Sequence, residues 1–329
     1  MTGWQMTASP VSRVVFRGQR VHVKRDDLFH LAGNKMRKLY WFLQQPDAYY
    51  KGEPLELVIS GSADNLTSNE SQSNAMLAIA QVAHEKRVPF TYFSRTLDLK
   101  NTPNDIEGNL QTAKALGMHH VELSAPQYQH LAASKDLASV PRLLEKESTE
   151  KLVHIPQGGA FAQAEDGLQV LAQELNEYCG TSRDAAFSVV VPCGTGTSAF
   201  YMAQHLDPRI QLFGVPCVGD AKYLHEQFEA LAAQHSSRQM QLPQVLVPSR
   251  KARFGRLSWP LLDMYHELLV ATGIEFDLLY GCFAWSTLFE STNFSIATSG
   301  GREVLYVHSG GVSGNSSMLA RYRAKTRPS

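Results

Sequence analysis

Short apolar runs alternate with longer amphipathic segments along this chain. Residues 20–28 alternate apolar and polar side chains as a strand with one buried face does, whereas 55–60 and 187–192 are almost continuously apolar. Residues 73–86 and 164–178 instead repeat apolar side chains at helical spacing. This alternation of strands and helices predicts an α/β protein with mostly parallel sheets flanked by helices.

The same patterns predict further helices and strands. The helices are 34–44, 108–117, 197–206 and 259–273, and the strands are 89–94, 211–218 and 304–309. Asn34 is the predicted N-cap of the first helix, and Gly117 and Gly273 end two others. Parallel sheets bind ligands beyond the carboxyl ends of their strands, so the loops there are candidates for the site.

Composition favours a small substrate. The 329 residues are 43% hydrophobic, which is enough for two domains or one large one. Lys plus Arg and Asp plus Glu both number 31, so no basic surface for nucleic acid or membrane is expected. The four cysteines form no Cys-x-x-Cys pair and the N-terminus has no apolar signal segment. We therefore expect reduced thiols, no bound metal and a cytoplasmic location.

The segment KRDDLFHLAGNKMRKL, residues 24–39, places two lysines where a bound anion would be stabilising. Lys35 and Lys38 share one helix face in the first turn, where cations are unfavourable unless an anion binds. A desolvated lysine beside another cation has a lowered pKa and becomes a nucleophile towards an aldehyde. The spacing alone equally describes a solvated basic face, which is its commoner meaning.

VVVPCGTGTSAF, residues 189–200, reads as a strand, a glycine-threonine loop and a helix. Its amides and hydroxyls suit a phosphate. It also has the form GxGxxA from Gly194 to Ala199, with Asp220 at the end of the next strand. A dinucleotide-binding site is therefore an open alternative.

Three other segments carry polar groups at predicted element ends. The polar loop 61–76 leads into a helix and is able to hold a carboxylate or a phenolic oxygen. Ser309, in a glycine turn after a strand, is able to donate a neutral hydrogen bond to a ring nitrogen. Tyr280, after an apolar run, is a candidate proton carrier. A capped loop, an ordinary turn and a packed aromatic are the alternatives.

In this order, the segments resemble the family of 1-aminocyclopropane-1-carboxylate (ACC) deaminase and D-cysteine desulfhydrase. That family belongs to the tryptophan-synthase-β-like, fold type II enzymes that use pyridoxal 5'-phosphate (PLP). KRDDL followed by GNKMRKL is the most specific part. QSNAM, CGTGTS, IPQGGAFAQAEDGL, GNLQTAKALG and VLYVHSGG also match, so the similarity runs from about Val21 to Gly314.

The resemblance implies a role for each candidate residue. Lys35 would bind PLP as an imine and act in catalysis, and Lys38 would contact the phosphate. The other implied cofactor contacts are Asn74 at the phenolic oxygen, Gly194, Thr195, Gly196 and Thr197 at the phosphate, and Ser309 at the ring nitrogen. The implied substrate contacts are Gln72, Ser73, Asn74 and Tyr280, of which Ser73 and Tyr280 would also be catalytic.

The resemblance also implies a two-domain architecture. A larger PLP-binding domain would comprise residues 1–52 and 158–329, and a smaller α/β domain, 53–157, would be inserted in it. The cofactor would lie in the cleft between them, and the chain would form a homodimer.

The substrate side departs from the family pattern at three places. Ala75-Met76 follows the serine-asparagine pair where relatives have histidine, or glutamine followed by Thr-Arg. Phe254 stands where the deaminase has a tyrosine. After the later tyrosine the deaminase has a glutamate and a lysine nearby, whereas Tyr280 is followed by Gly281, Cys282 and Phe283.

The expected reaction is α,β-elimination from a small amino acid, with D-cysteine the first choice, giving a keto acid and ammonia. ACC ring opening, PLP binding without turnover and a dinucleotide-dependent oxidoreductase are the alternatives.

Overall fold

Two sheets, of six and four strands, organise the part of the chain that the structure describes. The structure is a computed structural model. It describes residues 6–31, 33–46, 49–50, 55–60, 73–95, 108–128, 151–155, 157–181, 185–235, 239–251 and 255–327. Gln72 and Phe254 lie outside these residues.

The strands within these ranges alternate with the helices. The strands are β1 (Val11–Phe16), β2 (Gln19–Arg25), β3 (Leu55–Ser60), β4 (Phe90–Arg95), β5 (His119–Leu123), β6 (Lys151–His154), β7 (Phe187–Cys193), β8 (Gln211–Pro216), β9 (Gln244–Val245) and β10 (Glu303–His308). The helices are α1 (Lys35–Lys38), α2 (Tyr40–Gln44), α3 (Asn74–Lys86), α4 (Asn109–Ala115), α5 (Ala164–Gly180), α6 (Thr197–Ala203), α7 (Ala221–Ala232), α8 (Trp259–Thr272), α9 (Gly281–Leu288), α10 (Ser291–Ala297) and α11 (Asn315–Arg323).

The six-stranded sheet has the order β1-β2-β10-β7-β8-β9. Its β1–β2 pair is antiparallel and its other described pairs are parallel. Every residue of β7 is buried, because helices cover both faces of a central parallel strand. The four-stranded sheet, β5-β4-β3-β6, is parallel throughout. The predicted α/β class with mostly parallel sheets is thus confirmed.

The four-stranded sheet is built from strands between residues 55 and 154. That range lies within the predicted inserted segment 53–157, but the division of the chain into two domains stays a prediction. No helix in the described ranges combines the length and the apolar character that crossing a membrane requires.

Several predicted element ends agree with the structure. Gly117 and Gly273 both have left-handed backbone, with φ of +95° and +67°, at the ends of α4 and α8. The single helix predicted over residues 34–44 is wrong, because Leu39 leaves helical geometry and separates α1 from α2. Asn34 occupies the predicted N-cap position of α1, but its side chain makes no capping hydrogen bond.

The patterns did not identify several other elements. Strands β1, β5, β6 and β9 and helices α7, α9, α10 and α11 were not predicted.

Candidate active site

Three neighbouring strands of the six-stranded sheet deliver the candidate residues to one edge. β2, β10 and β7 lie side by side and parallel, so their carboxyl ends meet. The lysine segment follows β2, the glycine-threonine loop follows β7 and the Ser309 turn follows β10. Residues far apart in the sequence therefore become neighbours.

The lysine segment lies directly against the turn after β10. The Asn34 amide donates to the Ser309 carbonyl oxygen at 2.9 Å. Gly33 has φ of +68°, and a side chain there would collide with the Ser309 carbonyl. Asn34 also donates from Nδ2 to Ser198 Oγ of α6 at 3.3 Å. Asn34 thus joins the three strand ends instead of capping a helix.

Lys35 and Lys38 hold two ammonium groups inside this edge. Lys35 Nζ donates to Asn34 Oδ1 at 3.3 Å, and Lys38 Nζ donates to the Gly158 carbonyl at 2.8 Å. Burial lowers the pKa of Lys35 to about 8, an effect that the negative charge of Asp277 opposes. Burial, and then the charge of Lys35, lower the pKa of Lys38 well below its usual value. Among the described residues, no carboxylate forms an ion pair with either lysine.

Arg37, between the two lysines, faces the other way into a buried charge cluster. Its guanidinium pairs with Asp26 at 2.8 Å and with Glu174 of α5 at 2.7 Å. Lys24 of β2 pairs with Glu174, and Ser9 donates to Asp26 at 2.6 Å. Two positive and two negative charges offset one another, as buried charges require. The cluster therefore anchors α1 from behind, on the face opposite Lys35 and Lys38.

The loop after β7 forms a small cradle of hydroxyls and glycines. Thr195 Oγ1 and Thr197 Oγ1 are 2.9 Å apart, and Gly196 has φ of +69° immediately before α6. A Cβ built on Gly158 would lie 2.7 Å from Thr195 Oγ1. The turn whose carbonyl binds Lys38 is thus packed on this loop, so ammonium, hydroxyls and amides converge there.

Ser73 and Asn74 begin α3 beside the turn after β10. Ser73 is the N-cap, and its hydroxyl oxygen accepts the Met76 amide at 3.2 Å. A Cβ built on Gly311 would lie 2.8 Å from Asn74 Nδ2. The hydroxyl proton of Ser73 remains able to donate, because the oxygen accepts the amide through a lone pair.

Tyr280 reaches the cradle from the segment before α9. A Cβ built on Gly194 would lie 3.2 Å from its hydroxyl oxygen. Burial raises the pKa of Tyr280 well above its usual value. The hydroxyl therefore stays protonated near neutral pH and is able to donate a hydrogen bond.

Asp277 is a buried residue at the site that the sequence reasoning missed. Its carboxylate accepts the backbone amides of Leu279, Tyr280 and Gly281 at 3.2, 2.6 and 2.8 Å. Burial raises its pKa, and these amides and His308 oppose the rise. The available signal was an acid enclosed by the apolar residues Phe276 and Leu278 in the segment EFDLLYG.

The structure brings most of the predicted site residues together. These are Lys35, Lys38, Ser73, Asn74, Gly194, Thr195, Gly196, Thr197, Tyr280 and Ser309. Asp220, which the dinucleotide alternative requires as a ribose ligand, instead caps α7 and pairs with Lys251 at 2.9 Å. Within the described residues, no group of three potential metal ligands comes together.

Solved structures share this architecture over almost the whole chain. An ACC deaminase homologue matches with a TM-score of 0.74 and 21% identity, over 96% of this chain and 94% of that chain. A hydrogen sulfide-producing enzyme from Fusobacterium nucleatum matches with a TM-score of 0.61 and 13% identity, over 93% and 96% of the two chains. An L-serine ammonia-lyase from the fungus Rhizomucor miehei matches with a TM-score of 0.62 and 14% identity, over 98% and 99%.

No family model matches the chain. TM-scores of 0.61 to 0.74 over more than nine tenths of each chain nonetheless establish the architecture. The chain therefore has the fold of these enzymes, the fold type II architecture that the sequence resemblance to PLP enzymes implied.

Proposed function

We propose that this protein is a PLP-dependent enzyme acting on a small amino acid, with Lys35 as the cofactor lysine. The observation that carries the proposal is the meeting of Lys35 and Lys38 with the glycine-threonine loop at one sheet edge. Lys35 is half-buried and Lys38 is buried, and neither forms an ion pair with a carboxylate among the described residues, so a bound anion would stabilise the charged form of both. A phosphate monoester bearing an aldehyde satisfies both lysines.

The residues present fit this cofactor. Lys38, the Thr195 and Thr197 hydroxyls and the loop amides form a donor set for a phosphate dianion. Gly158 and Gly194 leave room that a Cβ would fill. Asn74 would donate to the phenolic oxygen, and Ser309 would contact the ring nitrogen.

PLP supplies an aldehyde that a primary amine attacks and a ring that accepts electron density from the substrate α-carbon. With its pKa lowered to about 8, Lys35 has a larger neutral fraction near neutral pH than an exposed lysine has. The same amine is the natural base for the substrate α-proton. Tyr280 and Ser73 are auxiliary proton donors, since both retain a hydroxyl proton. The substrate carboxylate would lie against the start of α3, at Ser73 and Asn74, where amides and the helix dipole favour an anion. Gln72 is the third substrate contact that the sequence resemblance implies.

The proposed reaction is α,β-elimination, in which the α-proton and a β-substituent leave and water then yields a keto acid and ammonia. D-cysteine is the first choice of substrate. The activities named for the hydrogen sulfide-producing enzyme and the L-serine ammonia-lyase support this reaction class. Because the α-carbon of ACC has no hydrogen, its ring opening would need a different first step. ACC is therefore the second choice, supported by the deaminase homologue.

The decisive experiment tests Lys35 directly. PLP is added to the purified protein, visible absorbance is recorded, and borohydride reduction is followed by peptide mapping. We expect a chromophore and a reduced adduct on the peptide containing Lys35. The matched variants are Lys35→Arg, which should form no adduct, and Lys38→Met, which should still form it but with weaker PLP binding. A chromophore that fails to appear, or an adduct on another lysine, would overturn the proposal.

A substrate panel then tests the reaction. The panel comprises D-cysteine, β-chloro-D-alanine, L-serine and ACC, with keto acid and ammonia measured. We expect turnover of a β-substituted substrate and slower turnover of ACC. Faster turnover of ACC would contradict the elimination assignment, and turnover of none of a wider set of amino acids would indicate PLP binding alone. Homodimer formation stays a prediction, which sedimentation would check.

A further inference from the structure

Two side chains from different parts of the fold contact the same oxygen of the Asn74 amide. Asn109, the first residue of α4, is buried, and its Nδ2 donates to Asn74 Oδ1 at 3.0 Å. Ser313, in the short 3-10 turn after β10, donates from Oγ to the same oxygen at 3.3 Å. Neither residue was among the predicted site residues.

These two contacts determine which way the Asn74 amide points. A side-chain amide oxygen accepts through two lone pairs, and here each receives one donor. The Nδ2 group is thereby directed to the opposite side, towards Gly311, where a built Cβ would lie 2.8 Å from it. A flipped amide would place its NH₂ group against the Asn109 NH₂ group, which leaves a donor unsatisfied.

We propose that Asn109 and Ser313 are positioning residues that hold the Asn74 NH₂ group towards the phenolic oxygen of PLP. This inference rests on the proposed function, in which Asn74 is the partner of that oxygen. Asn74 and Asn109 each begin a helix that follows a strand of the four-stranded sheet, whereas Ser313 follows β10 of the six-stranded sheet. The donor orientation therefore depends on contacts from the elements of both sheets.

The physical consequence concerns the charge of the cofactor. A hydrogen bond donated to the phenolic oxygen stabilises its ionised form. A misoriented Asn74 would present Oδ1 instead, and an acceptor beside that oxygen favours the protonated phenol. The bound cofactor should then absorb as the protonated form over a wider pH range and bind less tightly.

The first test uses PLP titrations of the purified protein, with affinity and the pH dependence of the visible spectrum as readouts. Asn109→Asp replaces the donor by an acceptor of the same shape, which attracts the Asn74 NH₂ group and turns it away from the site. We expect about tenfold weaker PLP binding and a shift of the spectrum towards the protonated phenol. Ser313→Ala should show a smaller effect in the same direction, and Ser313→Thr, which keeps the hydroxyl, should restore wild-type behaviour.

A double-mutant cycle separates positioning from general destabilisation. In an Asn74→Ala background, Asn109→Asp and Ser313→Ala should cause no further change in affinity or spectrum, because their target is gone. The matched control is Asn293→Ala, which removes another buried asparagine, one hydrogen-bonded to Val247, Thr287 and Glu290. It should leave both readouts unchanged even if it lowers stability.

Two outcomes would overturn the inference, and they are distinguishable. If the wild-type protein forms a Lys35 adduct but Asn109→Asp matches it in affinity and spectrum, only the positioning role fails. Effects that add to those of Asn74→Ala would have the same meaning. If the wild-type protein forms no chromophore with PLP, the proposed function fails and this inference fails with it.

Discussion

The charge state of Lys35 is set by where its side chain lies. Burial lowers its pKa from 10.5 to about 8, and Asp277 is the negative charge that opposes this shift. A protonated Lys35 is thus less stable in the folded chain than in water. The amine is prepared for nucleophilic attack, at the expense of folding stability.

The pKa shift predicts a pH-dependent gain in stability for Lys35→Met in the absence of PLP. Between the folded pKa near 8 and the unfolded value of 10.5, the unfolded chain binds more protons, so wild-type stability rises with pH there. The loss of folding stability caused by protonated Lys35 is therefore complete below about pH 8, and it disappears as the pH rises towards 10.5. Urea unfolding should show the variant exceeding wild type by more at about pH 7 than at about pH 9.5.

Lys114→Met, which removes an exposed lysine on α4, is the control for that comparison. Lys114 is exposed and lies outside the candidate site, so this variant controls for the loss of one lysine charge. If the difference in unfolding free energy between Lys35→Met and wild type did not change with pH, the lowered pKa of Lys35 would be contradicted.

At the level of elements, the lysine helix is held by close packing against α5. Gly167 of α5 lies so near α1 that a Cβ there would collide with the Arg37 carbonyl and lie 2.7 Å from Tyr40 Cβ. A backbone carbonyl cannot move aside as a flexible side chain can. Glycine near the start of α5 therefore lets α1 approach, although glycine lowers helix propensity.

Gly167→Ala should destabilise the protein by about 1–3 kcal/mol and weaken PLP binding, because α1 must shift. Gly180, on the same helix, has nothing within 4 Å of a built Cβ. Gly180→Ala should leave stability unchanged or raise it by up to about 1 kcal/mol. Thermal unfolding and PLP titration of the two variants measure both effects, and equal behaviour of the pair would refute the packing argument.

At the scale of the whole molecule, one buried ion cluster joins distant parts of the chain. Arg37 and Glu174 are 137 residues apart, and Ser9, Lys24 and Asp26 complete the group. The Arg37 side chain and the Asp26 carboxylate are fully inaccessible to water. Such a cluster tolerates the loss of a partner poorly, since the remaining charges stay buried.

Arg37→Met should lower the free energy of unfolding by about 3–5 kcal/mol, since it leaves Asp26 and Glu174 with too little positive charge. The control is Arg327→Met, which breaks a bidentate pair with Asp263 whose side chains are 58% and 51% exposed. That change should cost less than about 1 kcal/mol. Urea unfolding of both variants decides the matter, and similar losses would argue against a buried cluster.

The local patterns were sufficient for features that depend on near neighbours. Gly117 and Gly273 end helices because left-handed backbone strains every residue with a side chain. The buried strand β7 and the loop from Gly194 to Thr197 could also be predicted from the local sequence. A buried parallel strand requires apolar residues, and a tight loop favours glycine.

Contacts between residues far apart in the sequence could not be predicted in the same way. No local rule marks Arg37 as the partner of Glu174, or Asn109 and Ser313 as the partners of Asn74, because such pairs arise only when distant elements pack. The helix predicted over residues 34–44 broke at Leu39 for a related reason. Helix propensity is a weak prior that tertiary packing overrides, and the backbone of Leu39 leaves helical geometry.

The sequence by itself determined the α/β class, most strand positions and the identity of the candidate lysines, because these depend on periodicity and short motifs. The tertiary structure alone decided that Lys35 is half-buried and Lys38 buried, that Asp277 lies near Lys35 and that Asn74 has a defined orientation. The physical reason is that pKa values and hydrogen-bond directions depend on desolvation and on neighbours in space, which are set by the tertiary fold.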